Sequence, residues 1–101
     1  MASYSFSALR GPSAAMPLRA GWYVVQYALA GPPGSLILQY QREGPQPPAG
    51  PPQSLWIDSH QLGNFASVSV ETVLLTDTRS WRFDVRDGGS CDVSITPEWQ
   101  P

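Results

Sequence analysis

Strict in/out alternation of apolar and polar side chains, repeated through most of the chain, is what most constrains its fold. Residues 3–9 read Ser-Tyr-Ser-Phe-Ser-Ala-Leu, so an extended backbone puts Tyr4, Phe6 and Ala8 on one face and serines on the other. Residues 22–30 put Tyr23, Val25, Tyr27 and Leu29 on one side. Residues 35–43 put Leu36, Leu38 and Tyr40 against Ile37, Gln39, Gln41 and Glu43. Leu55 to Asp58, Phe65 to Leu75, Trp81 to Arg86 and Cys91 to Thr96 continue the pattern. No stretch has the 3.6-residue period of a helix. Eleven prolines and nine glycines argue the same way, because both break helices and both make turns. The sequence therefore predicts an all-β fold, an antiparallel β-sandwich or flattened barrel of about seven strands. Its parts are an N-terminal strand or arm with its connector over 1–20 and a sandwich domain over 21–101. A stiff, polyproline-like loop, Gly44-Pro-Gln-Pro-Pro-Ala-Gly-Pro-Pro-Gln53, interrupts the sandwich.

Residues paired across a hairpin must share a face, which tests candidate registers. Pairing Leu29 with Leu36 around Gly31-Pro-Pro-Gly34 matches the faces, as does pairing Leu74 with Trp81 around Thr76-Asp-Thr-Arg79. A two-residue Gly88-Gly89 turn sets outward Arg86 against inward Cys91, so the preferred register pairs Arg86 with Asp92. These pairings make 22–43 a hairpin and 65–96 a meander. The expected core is Tyr23, Val25, Leu29, Leu36, Leu38, Leu55, Ile57, Val68, Val70, Leu74, Trp81, Phe83, Val85, Val93 and Ile95. At 101 residues such a core needs no disulfide or metal.

Charge and composition close off several kinds of chemistry. There is no lysine, and six arginines face eight acids for a net charge of −2, so phosphate-tracking binding to nucleic acid is not expected. The longest apolar stretch, Trp22 to Ala30, is less than half of a membrane-spanning helix and contains Gln26. Met1-Ala-Ser-Tyr-Ser-Phe-Ser lacks the basic and apolar regions of a secretory signal. A lone cysteine, Cys91, cannot close an internal disulfide and its parity points inward, as a buried, inert thiol. The expectation is a product of the cytoplasm, made without a signal peptide.

Candidate reactive groups are few. Asp58 and His60 share a face in a regular strand, and a serine from a neighbouring strand could complete a triad. No nucleophile-elbow motif accompanies them, so His60 reads as a surface histidine beside an acid. Asp84, Asp87 and Asp92 surround the last turn without the acidic spacing of a calcium loop, and Arg82 and Arg86 neutralise them. No catalytic residue, metal or cofactor is assigned.

The aromatic residues carry the functional reading. Trp22 and Trp56 fall opposite their strands' core faces, and Trp99 lies in the tail Pro97-Glu-Trp-Gln-Pro101. With Tyr4 and Phe6 on the N-terminal strand, these are the candidate partner-binding residues. Pro48 and Pro51 make a P-x-x-P spacing, read as a semi-rigid loop and not as a recognition motif. Residues 1–20 either pair at home as the first strand or add to a neighbour's sheet edge. In layout, a compact β domain with an arm and an ordered tail resembles small accessory proteins of virus particles, such as bacteriophage capsid decoration or tail proteins. That resemblance implies attachment through residues 1–20 and the tail, homo-oligomers, capsid or other assembly subunits as partners, and a place on the virion surface. The expected function is a non-catalytic structural or interaction protein. The alternative is a carbohydrate-binding module using Trp22 and Trp56 as stacking platforms for a glycan.

Overall fold

The computed structural model describes residues 3–30, 34–43, 54–63, 67–86 and 88–98. They form eight strands: β1 (Tyr4–Leu9), β2 (Met16–Leu18), β3 (Gly21–Ala30), β4 (Ser35–Glu43), β5 (Ser54–Gly63), β6 (Ser67–Leu75), β7 (Arg79–Arg86) and β8 (Ser90–Pro97). Two antiparallel four-stranded sheets result. Sheet A runs β1-β8-β3-β6 and sheet B runs β2-β7-β4-β5. The slab measures 46 × 38 × 18 Å, two sheets thick. Every connection except β4–β5 steps from one sheet to the other, and the strand order is that of a jelly roll.

All three expected hairpins are corrected by this topology. β3 pairs with β6 and β8, while β4 pairs with β5 and β7, so Leu29 does not pair with Leu36. Likewise β6 and β7 lie in different sheets, as do β7 and β8, which removes the Leu74–Trp81 and Arg86–Asp92 pairings. The physical reason is that parity reports only which face turns inward. A strand that crosses to the opposite layer also turns its apolar face inward, so crossing and hairpin satisfy the same test. The crossings converge at one end: a Cβ on Gly34, between β3 and β4, would stand 3.2 Å from the Arg86 carbonyl oxygen and 3.3 Å from the Gly89 Cα. Gly88, at φ +83°, turns the β7–β8 connection in the left-handed region that glycine enters without steric cost.

The core lies between the sheets. Val25, Leu36, Leu38, Phe83 and Ile95 are fully enclosed, with Met16 and Leu75 beside them. Each contributes about 1.5–3 kcal/mol relative to exposure. Tyr23, Leu29, Trp81, Val85 and Val93 are buried as expected, as is Cys91, and Tyr27 and Leu62 join them although the expected core did not include them. β6 departs from expectation. Its inward residues are Glu71, Val73 and Leu75, opposite Val25, Tyr23 and Gly21 of β3, whereas Val70 and Leu74 point outward. This strand has apolar residues on both faces, so its own pattern cannot choose, and pairing with β3 decides. Leu55 is 38% exposed near the edge of sheet B, and Ile57 is partly buried. The side chain of Val68 lies outside the described residues.

Residues 1–20 had two expected places, at home or on a neighbour, and β1 and β2 take the first. β1 pairs with β8, and its register shifts between Phe6 and Leu9. The extra residue brings Leu9, in place of Ala8, against the core. Residues 11–13 and β2 then line β7: the Ser13 N–H donates to the Phe83 carbonyl at 2.7 Å, and Met16 and Leu18 are buried. β2 lies in the stretch expected to be a loop, because three residues are too few to display a period.

Candidate functional site

The two outer surfaces of the sandwich are chemically unlike. On sheet A, β3 and β6 present Trp22, Val24, Val70 and Leu74. Trp22 is 53% exposed, Val70 60% and Leu74 39%. Trp22 pairs directly with Leu74, and Val24 with Thr72, so these side chains form one apolar strip beside the β6 edge. Towards β1 the outward residues become small: Ala28 on β3, Ser94 on β8, and Ser5 and Ser7 on β1. Short side chains leave a groove of about 460 Å³, walled also by Gln26, Val70 and Asp92. Asp92 accepts a hydrogen bond from the Ala8 N–H at 2.7 Å, which ties the β1 bulge to the groove's rim.

On sheet B the corresponding surface is closed by its own polar side chains. Arg86 grips Asp58 with two hydrogen bonds, 2.6 and 2.8 Å, and donates from Nε to Asp84 at 3.0 Å. The buried Gln39 amide bridges the rest: Nε2 donates to Asp58 at 2.8 Å, and Oε1 accepts from Arg82 Nε at 2.8 Å. The Arg82 guanidinium lies 4.3 Å from the Trp56 ring centroid. Arg86 and then Gln39 hold the Asp58 carboxyl down to about 2. The two carboxylates in turn push Arg86 above its ordinary value. Within this described cluster two arginines balance two aspartates, Arg86 by direct ion pairs and Arg82 through Gln39.

Trp22 and Trp56 are on opposite layers, so they cannot stack on one glycan. Trp22 is exposed on sheet A, and Trp56 is half-buried beneath Arg82 on sheet B. Tyr4 and Phe6 turn inward and pack on the core, Phe6 edge-on to Phe83 at 6.3 Å. Both stay partly exposed, and Phe6 also lines the groove on sheet A. Trp99, Asp87 and the proline-rich stretch 44–53 lie outside the described residues.

The Asp58–His60 geometry also needs correction. β4 pairs Gln39 with Asp58 but Leu38 with His60, so Ser59 is an extra residue and the two side chains point to opposite faces. His60 Nδ1 instead meets its neighbour's Ser59 Oγ at 2.9 Å. Asp84 and Asp92 fall in different sheets. Among the described residues no group of three metal-ligating side chains converges. Cys91 is buried between the sheets, and desolvation pushes its thiol up to about 11.

Sequence reasoning missed Val70, Leu74, Gln26 and the Gln39 bridge. The sequence pattern of β6 alone turns the first two inward. Gln39 carried a usable signal, being a polar residue between Ile37 and Gln41 on the outward face of a central strand. Comparison with protein-family models, with curated proteins and with solved structures finds no match to this chain.

Proposed function

We propose that this chain is a non-catalytic structural and interaction protein, which docks onto protein subunits of a larger assembly through the outer side of sheet A. The observation that carries this reading is the contrast between the two outer surfaces. Sheet B's arginine, aspartate and glutamine side chains satisfy one another, whereas sheet A leaves a tryptophan, a valine and a leucine uncovered together. An apolar strip with a polar rim is how a protein–protein contact is built. The assembly in view is a virus particle such as a bacteriophage virion, with the chain as a capsid decoration or tail accessory subunit. The jelly-roll order is shared by viral capsid domains, lectins and cupins, a likeness of fold alone. The test is sedimentation of the particle fraction from the native source. The chain should travel with the particle, and a Trp22→Ala/Val70→Asp variant should stay at the top of the gradient. Wild-type chain found only as free protein would overturn the reading.

The groove favours a second reading, a glycan-binding module. Serine, glutamine and aspartate side chains at its rim can hydrogen-bond sugar hydroxyls, and Trp22 lies on the same side, two outward positions along β3 from Gln26. A glycan-array signal abolished by Gln26→Ala would favour it.

A further inference from the structure

An antiparallel sandwich has four sheet edges, and in this one they differ sharply in how well they are guarded. β1 is broken by its register shift, with Ala8 in the left-handed region at φ 51°. β2 is three residues long and centred on Pro17, which has no N–H to offer. β5 carries two register shifts against β4. Bulges, prolines and shortness are the devices that stop an edge from pairing with another chain. β6 has none of them. It is nine residues long, Ser-Val-Ser-Val-Glu-Thr-Val-Leu-Leu, and keeps unbroken register with β3 from Ser67 to Leu75. It contains no proline, lysine or arginine. Its single charge, Glu71, is turned inward to the Tyr27 hydroxyl, 2.6 Å away.

We infer that β6 is a homodimer edge: a second copy of this chain adds its own β6 antiparallel, making one continuous eight-stranded sheet across a two-fold axis through Thr72. This rests on the reading of the chain as an interaction protein and names its first partner. The two-fold makes the added strand antiparallel, matching sheet A. Side-chain parity requires paired numbers to sum to an even value, otherwise the outward face of one copy joins the inward face of the other. Centring on Thr72 sets Val70 opposite Leu74 of the second copy, twice, and Thr72 opposite itself. Glu71 then faces Val73 of the second copy. Centring on Glu71 instead sets the two carboxylates directly opposite, which is unfavourable. The Thr72 register therefore pairs the exposed apolar side chains and avoids like charges. It also sets the two Trp22-bearing strips side by side on one surface, leaving both open to a larger partner.

The isolated wild-type protein should sediment at about 22 kDa, twice the 11.0 kDa chain. Thr72→Lys sets two like charges on the axis and should weaken the dimer at least about tenfold, to a monomer that keeps the wild-type circular dichroism. Thr72→Cys gives a second readout that needs no loss of stability. Directly paired Cα atoms lie about 4.5–5.5 Å apart, within disulfide reach, so this variant should oxidise to a linked dimer while Val70→Cys does not. A wild-type monomer at the highest soluble concentration, a dimer indifferent to Thr72→Lys, or a dimer in which Val70→Cys links and Thr72→Cys does not would overturn the inference. A monomer that still sediments with a particle would end this inference alone and leave the proposed function standing.

Discussion

At the residue scale, the polar side chains of sheet B and the thiol between the layers give measurable signatures. Asp58 has its folded-state value lowered from 3.8 to about 2 by Arg86 and Gln39. A lowered carboxylate stabilises the fold above its unfolded value, and that contribution is lost as pH falls from 3.8 towards 2. The pair is about half exposed, with side-chain exposures of 40% and 53%, so solvent screening limits it to under about 1 kcal/mol. Asp58→Asn should therefore lower the urea midpoint slightly at neutral pH and flatten its fall across that acid window. An unchanged acid slope would show that Arg86 is satisfied by Asp84 alone. Cys91 predicts the opposite kind of result, an absence of reaction. With its thiol 1% exposed and pushed up to about 11, iodoacetamide should label it only as denaturant opens the fold. Fast, stoichiometric labelling of native protein would contradict its burial.

At the element scale, alternation revealed six of the eight strands within a few residues, because each is long enough to repeat its period, but of β5 only Leu55 to Asp58 was legible, since the bulge at Ser59 breaks its alternation. The short β2 was illegible, and so were the strands' partners. Faces are encoded locally in residues such as Tyr23, Val25 and Tyr27, but pairing depends on residues far away, such as Ile95, which pairs with both Tyr4 and Val25. The candidate surface was legible to the extent that Trp22 fell on an outward face. Val70 and Leu74 were not, since β6 reads equally well either way up. The two bulges on β5 and the one on β1 also escaped, and each shifts parity. Ala8 offers a test of the latter. A left-handed alanine costs about 1–2 kcal/mol, and glycine's extra freedom in the unfolded chain returns about 0.5–1 of that. Ala8→Gly should thus raise stability by about 0.5–1 kcal/mol, read as a higher melting midpoint. A lower midpoint would mean that β1 does not bulge there.

At the scale of the whole molecule, β1 and β2 close one side of each sheet, so the N-terminal segment is part of the sandwich. Deleting residues 2–19 removes Phe6 from Phe83, takes Met16 and Leu18 out of the core, and bares the edges of β7 and β8. The truncated chain should lose its cooperative melting transition and aggregate. A folded, soluble truncation would mean that the arm belongs elsewhere. The pairing of the first strand with the last carries a consequence for biosynthesis. A ribosome makes β1, β2 and β3 well before their mates β8, β7 and β6, and among the described strands β4 with β5 is the only neighbouring pair the nascent chain can close early. Until β7 and β8 emerge, the polypeptide has no finished layer to bury its aromatic side chains. Folding must then come late and nearly at once, and a premature stop in this region leaves an aggregation-prone remnant in place of a smaller domain.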